Sequence, residues 1–234
     1  MPETTTPAVP STPAPTPPPV VHNSVQNKLI EKYVTDAETF LTTASTDSEI
    51  RPILESHGYD DAEFTTGFNL VTAASGGVAK RQQKIGGKKE KVDELHLTAS
   101  GARDAYAAFR EIARSSFPAQ GDRAALGLTG DVPDDFQRFV TAAHTSYTNA
   151  GLAAYTAKMT KRNYAPARLA TLLANLDSFT EDKSKRDVAA GEAVASTAER
   201  DAAYVQLRAY MKELRGVARG ALRGNHGALA KLEL

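Results

Sequence analysis

Residues 109–117 read FREIARSSF and residues 214–222 read LRGVARGAL, with apolar, basic and small residues in nearly the same order. The two stretches lie 105 positions apart, and at that offset Tyr59–Phe117 lies over Tyr164–Leu222 without a gap. The pairs include Tyr59/Tyr164, Phe64/Leu169, Val71/Leu176, Lys80/Lys185, Arg81/Arg186, Gly86/Gly191, Arg103/Arg208, Arg110/Arg215 and Arg114/Arg219. Self-similarity at a fixed period marks a fold built from one supersecondary unit used more than once. The matched positions are mainly core-type apolar residues and arginines, so the pattern bears on architecture more than on an active site.

Inside the repeated stretch the apolar residues keep a seven-residue phase. Phe64, Val71, Val78, Ile85, Val92, Ala99, Tyr106 and Ala113 form one column. The second copy, Leu169, Leu176, Lys183, Ala190, Thr197, Tyr204, Met211 and Ala218, is weaker in its middle. An unbroken heptad phase predicts one long helix per copy that supercoils with a partner. A helical hairpin turning at Gly86-Gly87 is the rival, since two glycines cost about 2 kcal/mol in a helix interior. If the long helices are antiparallel, Gly86, Gly87, Ala189, Ala190, Gly191 and Ala193 are expected where the two backbones approach closely.

Local signals fill in the rest. Val25, Leu29, Ile30, Tyr33, Ala37, Phe40 and Leu41 recur at helical steps and predict an amphipathic helix from Ser24. Thr46 and Glu49 read as a capping box for a short helix from Asp47 to about His57. Gly58, with Asn163 as its repeat mate, is placed for a left-handed cap. Asp60 and Glu63 start the first long helix, and Pro166 sits just inside the second. The long helices are expected to stop at Phe117-Pro118 and Leu222–Asn225. A helix from Asp134 to about Ala150 and a shorter one from about Gly151 to Arg162 complete the second unit.

The expected fold is all-α: a two-repeat helical bundle with a 105-residue period, two long antiparallel coiled-coil helices, and short helices thickening each end. Two compact side-by-side helical bundles are the alternative. The domain division is a Pro/Thr-rich tail over 1–23, disordered and with polyproline II character, then helical units over 24–130 and 131–234. The tail reading rests on eight of the chain's twelve prolines falling in residues 1–22.

Composition narrows the function classes. The chain of 234 residues carries 28 basic and 28 acidic side chains, so no global field points to nucleic acid or an anionic membrane. It has no cysteine, which removes disulfides, thiolate metal sites and a cysteine nucleophile. No run of about 18 apolar residues and no signal-peptide pattern appears, so a soluble cytoplasmic protein is expected. The five histidines are scattered. Only Asp93-x-x-His96 pairs a carboxylate with an imidazole on one helical face, far short of a di-iron ligand set. No nucleophile elbow, zincin or phosphate-loop pattern is present. No catalytic, cofactor-binding or metal-ligating residue is therefore expected, and no cofactor.

Two basic stretches remain as candidate anion-binding residues. Lys80, Arg81, Lys84, Lys88, Lys89 and Lys91 surround the single acid Glu90, and Arg208, Lys212, Arg215 and Arg219 recur along one helix. Such a stripe neutralises phosphates when it is free and is a solvated helix face when it is paired. Arg110/Arg215 and Arg114/Arg219 read as structural, bonding the last carbonyls of their helices or covering apolar surface with their stems.

The C-terminal stretch YVQLRAYMKELRGVARGALRGNHGALAKLEL, residues 204–234, resembles the closing helix and tail of a group of uncharacterised bacterial all-helical proteins. Val217-Ala218-Arg219 and Leu229–Leu234 carry the likeness, with Glu233 where the group has glycine. Two tandem helical units are a second shared trait, the first closing at Ile112–Leu128. The resemblance covers about Tyr33 to Leu234 and implies architecture without an activity. The resulting expectation is a non-enzymatic helical scaffold or interaction protein that binds a protein partner or itself, with a flexible tether. A nucleic-acid or other polyanion binder is the alternative. No membrane contact and no small-molecule ligand are expected.

Overall fold

The computed structural model describes residues 23–234, and the expected tail over 1–22 lies outside the described residues. Eight helices run through the described chain: α1 (Asn23–Thr46), α2 (Arg51–Glu55), α3 (Asp61–Ser116), α4 (Gln120–Ala125), α5 (Phe136–Ala150), α6 (Ala153–Thr160), α7 (Pro166–Ala221) and α8 (His226–Lys231). No strand occurs among the described residues, so the fold is all-α. α3 and α7 each contain 56 residues. Each begins and ends 105 positions from its counterpart. Both run uninterrupted through Gly86-Gly87 and Gly191, so no hairpin turn interrupts the heptad column.

The helix ends follow from local chemistry. The Asp60 carboxylate accepts from the backbone N–H groups of Ala62 (2.9 Å) and Glu63 (3.0 Å) and opens α3. Asp135 does the same for α5 through Arg138 N–H. Gly58 (φ 93°) and Asn163 (φ 66°) adopt the left-handed conformation. Beyond them Tyr59 N–H bonds Leu54 O and Tyr164 N–H bonds Met159 O, closing α2 and α6 alike. The capping box expected at Thr46 does not form. Thr46 ends α1 and its hydroxyl donates back to Thr42 O (2.7 Å). Asp47 takes the N–H groups of Glu49 and Ile50 instead, holding a turn that shortens the next helix to Arg51–Glu55.

The chain divides into two compact units. Unit 1 comprises the described residues up to Val71 together with Tyr210–Leu234, and unit 2 comprises Thr72–Ala209. Each unit thus takes one end of α3 and one end of α7, a division different from 24–130 and 131–234. In unit 1, α1 buries Ile30, Val34, Ala37, Phe40, Leu41 and Ala44. Tyr59, Phe64, Met211, Leu214, Ala218 and Leu222 are buried in the same unit. Tyr210 there donates its hydroxyl to Glu63 O (2.7 Å).

Unit 2 has an aromatic core. Phe109 meets Tyr147 with ring centroids 4.9 Å apart and Tyr164 at 5.2 Å, both edge-on. The Tyr106 hydroxyl is buried against Ser146 Oγ (3.0 Å), which satisfies a polar group that burial would otherwise penalise. Burial raises the Tyr147 phenol well above its ordinary range, with Tyr164 and Tyr106 adding to the shift. Positions 105 apart share burial: Tyr59 and Tyr164, Phe64 and Leu169, Val71 and Leu176, Phe109 and Leu214, Ala113 and Ala218.

Within unit 2 α3 and α7 run antiparallel, since Lys80 pairs with Glu199 and Lys84 with Glu192. The small residues do not mark the close approach at the expected place. A Cβ added to Gly86, Gly87 or Gly191 would meet nothing within 4 Å. The backbones come together at Gly77, where a Cβ would lie 3.1 Å from Arg200 Cα. The heptad column is likewise buried at its ends and half-exposed in its middle, where Ile85 is 38% exposed.

Candidate anion-binding side chains

The first basic stretch is largely spent within the fold. Lys80 Nζ lies 2.5 Å from Glu199, Lys84 Nζ 2.9 Å from Glu192 and Lys91 Nζ 2.6 Å from Glu94. Arg81 is buried at 1% exposure and donates its Nε–H to Thr197 Oγ1 (3.1 Å). Burial, with Arg200 beside it, holds the Arg81 guanidinium below the usual arginine range. Arg200 is itself fully buried and bonds Asp201. Two cations in one interior are stable only because each finds acceptors, and neither is presented to a ligand. Lys88 and Lys89 alone in this cluster are exposed and unpaired among the described residues.

The second stretch divides between the units. Arg208 is exposed in unit 2. Lys212, Arg215 and Arg219 belong to unit 1. Lys212 and Arg219 are exposed, and none of the three has an acidic partner among the described residues. The Arg215 guanidinium stacks on Phe40 at 5.3 Å and Tyr33 at 5.8 Å from the ring centroids, which fixes its plane without satisfying its N–H groups. Arg215 and Arg219 line a cavity of about 290 Å³ together with Asp36, Thr39, Thr43 and Leu234. Lys231, which also lines it, is committed to Asp47 (2.9 Å) and Glu49 (3.1 Å).

The arginines 105 positions earlier, at the same place along α3, behave differently. Arg114 donates from Nε and Nη2 to Leu128 O (3.0 and 2.7 Å) and from Nη2 to Gly130 O (2.6 Å). Arg110 Nη2 also reaches Gly130 O at 2.5 Å. The pair therefore grips the loop after α4. Arg123 fills the expected role at the end of α3, donating to Phe117 O and Arg114 O. Arg114 lies in the last turn of α3 and Arg110 one turn before it, and both guanidinia reach the chain folding back after α4 instead of the terminal carbonyls.

Sequence reasoning named Arg215 and Arg219 but missed Phe40, Thr39 and Thr43, which lie on α1. Phe40 reads only as part of the apolar stripe of α1, and nothing in the local spacing of Thr39 and Thr43 marks them, because the cavity exists only where α1 meets the end of α7. No family model, curated protein or solved structure matches this chain. Among the described residues no helix is long and apolar enough to cross a membrane. No group of three or more histidine or acidic side chains converges as a metal site among them.

Proposed function

We propose that this chain is a non-enzymatic helical scaffold, one helical unit used twice, that contacts a partner protein or a second copy through a helix face. The observation that carries this reading is a stripe on α7 in unit 2. Val194, Ala198, Ala202, Val205 and Ala209 follow one another at steps of four and three and are all exposed. Val194 is 72% and Val205 63% exposed. That spacing puts them on one side of the helix, an apolar surface left uncovered among the described residues. A cytoplasmic location goes with this reading.

Sedimentation equilibrium of the full chain and of a Val194→Glu/Val205→Glu variant tests it, with crosslinking in lysate for a heterologous partner. Association or a crosslinked partner lost in the variant, with the helical circular dichroism unchanged, is the expected result. A wild-type chain that stays monomeric and uncrosslinked would refute the reading. The polyanion reading draws on Lys88, Lys89 and Arg208, the candidate cations of unit 2 that are exposed and unpaired among the described residues. It predicts DNA or RNA affinity falling steeply between about 50 and 200 mM salt.

A further inference from the structure

Arg215 and Arg219 stand on α7 where Arg110 and Arg114 stand on α3, 105 positions on, counted from helix starts that are also 105 apart. In unit 2 that arginine pair has an occupant. Arg114 and Arg110 together hold the main-chain carbonyls of Leu128 and Gly130, two residues apart on one short stretch of chain. In unit 1 the corresponding guanidinia have no hydrogen-bond acceptor and no carboxylate partner among the described residues. They face the cavity of about 290 Å³. Arg215 is stacked in place by Phe40 and Tyr33, so its fork is oriented before any ligand arrives.

The lining decides the ligand class. The third cation of the lining, Lys231, is neutralised by Asp47 and Glu49. Beside the two guanidinia the cavity presents acceptors: the Asp36 and Glu233 carboxylates and the Thr39 and Thr43 hydroxyls. Thr39 already donates its hydroxyl hydrogen to Thr35 O, so its free lone pairs accept. Asp36 is held by Lys32 at 2.8 Å. A phosphate brings only acceptors and would meet two carboxylates. A peptide main chain brings carbonyls for the arginines and N–H groups for the acids and hydroxyls. The volume lies at the small end of ligand pockets, a size for a few residues of chain.

We propose that the Arg215–Arg219 cavity docks an extended peptide segment of a partner protein. Two of that segment's carbonyls accept from the guanidinia as those of Leu128 and Gly130 do in unit 2. The surface is distinct from the Val194–Ala209 stripe, so either assignment stands without the other.

The test uses the full chain and the acetylated, amidated peptide LGLTGD, residues 126–131, as probe. The intramolecular copy of that segment outcompetes the peptide at Arg110 and Arg114 through its effective concentration. Binding therefore reads out at the methyl signals of Thr39, Thr43 and Leu232. A Kd below about 1 mM is expected, at least tenfold weaker in Arg215→Ala and in Arg219→Ala. Arg215→Lys/Arg219→Lys keeps the charge but loses the planar fork, and it is expected to lose the peptide too. Circular dichroism confirms that each variant is folded. Absence of peptide shifts at 5 mM (a concentration about fivefold above the expected Kd) overturns the proposal. So does full binding by the lysine variant, or displacement of the peptide by equimolar inorganic phosphate, which would make the cavity a simple anion site.

Discussion

Replacing Gly86 and Gly87 together by alanine is expected to stabilise the chain by about 2 kcal/mol. Both glycines lie inside α3 with helical backbone, and neither is among the left-handed glycines at 58, 127, 130 and 224. A Cβ at either position meets nothing within 4 Å. No packing penalty therefore offsets the helix-propensity gain of roughly 0.8–1 kcal/mol per Gly→Ala, part of which arises from restricting the unfolded chain. In a chain of this size that corresponds to a rise in Tm of about 4–8 °C. The assay is urea unfolding followed by circular dichroism at 222 nm, with the denaturation midpoint compared at constant slope. Gly67→Ala is the control of opposite sign. Its Cβ would lie 2.8 Å from Tyr210 Cε1 and 2.9 Å from Leu41 Cδ2, an overpacking that costs about 1–3 kcal/mol. A neutral or destabilising Gly86→Ala/Gly87→Ala pair would refute the reasoning. It would mean that the chain turns at these glycines or that another backbone packs against them.

Arg114→Ala removes three contacts to the carbonyls of Leu128 and Gly130 and is expected to cost about 1.5–3 kcal/mol. Amide exchange should accelerate at residues 127–132, and unchanged protection there would contradict the gripping role. The Tyr59, Tyr147, Tyr164 and Tyr210 phenols are all raised above 10.0, chiefly by burial. A raised acid stabilises the fold in full below the unfolded value of 10.0, and this stability is lost as pH climbs towards the folded values. Absorbance at 295 nm should therefore show these four ionising only as the helices melt. All eight tyrosines titrating together near pH 10 in folded protein would contradict it. Asp47 is held below its ordinary 3.8 by the Lys231 ammonium and then by the Glu49 and Ile50 N–H groups. Its contribution is present above pH 3.8 and lost as pH falls through the lower folded value. The urea midpoints of wild type and Asp47→Asn should differ at pH 6 and converge towards pH 2 (the convergence follows from linkage); a constant gap would show the ion pair to be irrelevant.

The sequence by itself determined what is settled within a few residues along the chain. The ends of α3 and α7 are written in Asp60, Pro118, Pro166 and Gly224, and the left-handed caps in Gly58 and Asn163. Each of these acts on backbone groups at most five positions away. The buried ends of the heptad column were equally legible, because one helix face is defined by spacing alone. The tertiary structure decided what depends on the register between elements. Lys80 is neutralised by Glu199, 119 positions away, and Lys84 by Glu192, 108 positions away, so the most basic stretch of the sequence is the more thoroughly paired. Arg81 and Arg200 are interior although nothing about their neighbours in sequence sets them apart from exposed arginines. The chain has two glycine pairs in α3, and only packing distinguishes them: Gly77 of Gly76-Gly77 sits at the close approach to α7 in unit 2, while Gly86-Gly87 faces open space. Arg110 and Arg215 stand at the same position counted from the starts of α3 and α7, yet one grips a loop and the other faces a cavity. Spacing along one helix fixes which side chains share a face; only the packing of a second element on that face decides whether they are paired, buried or left free for a ligand.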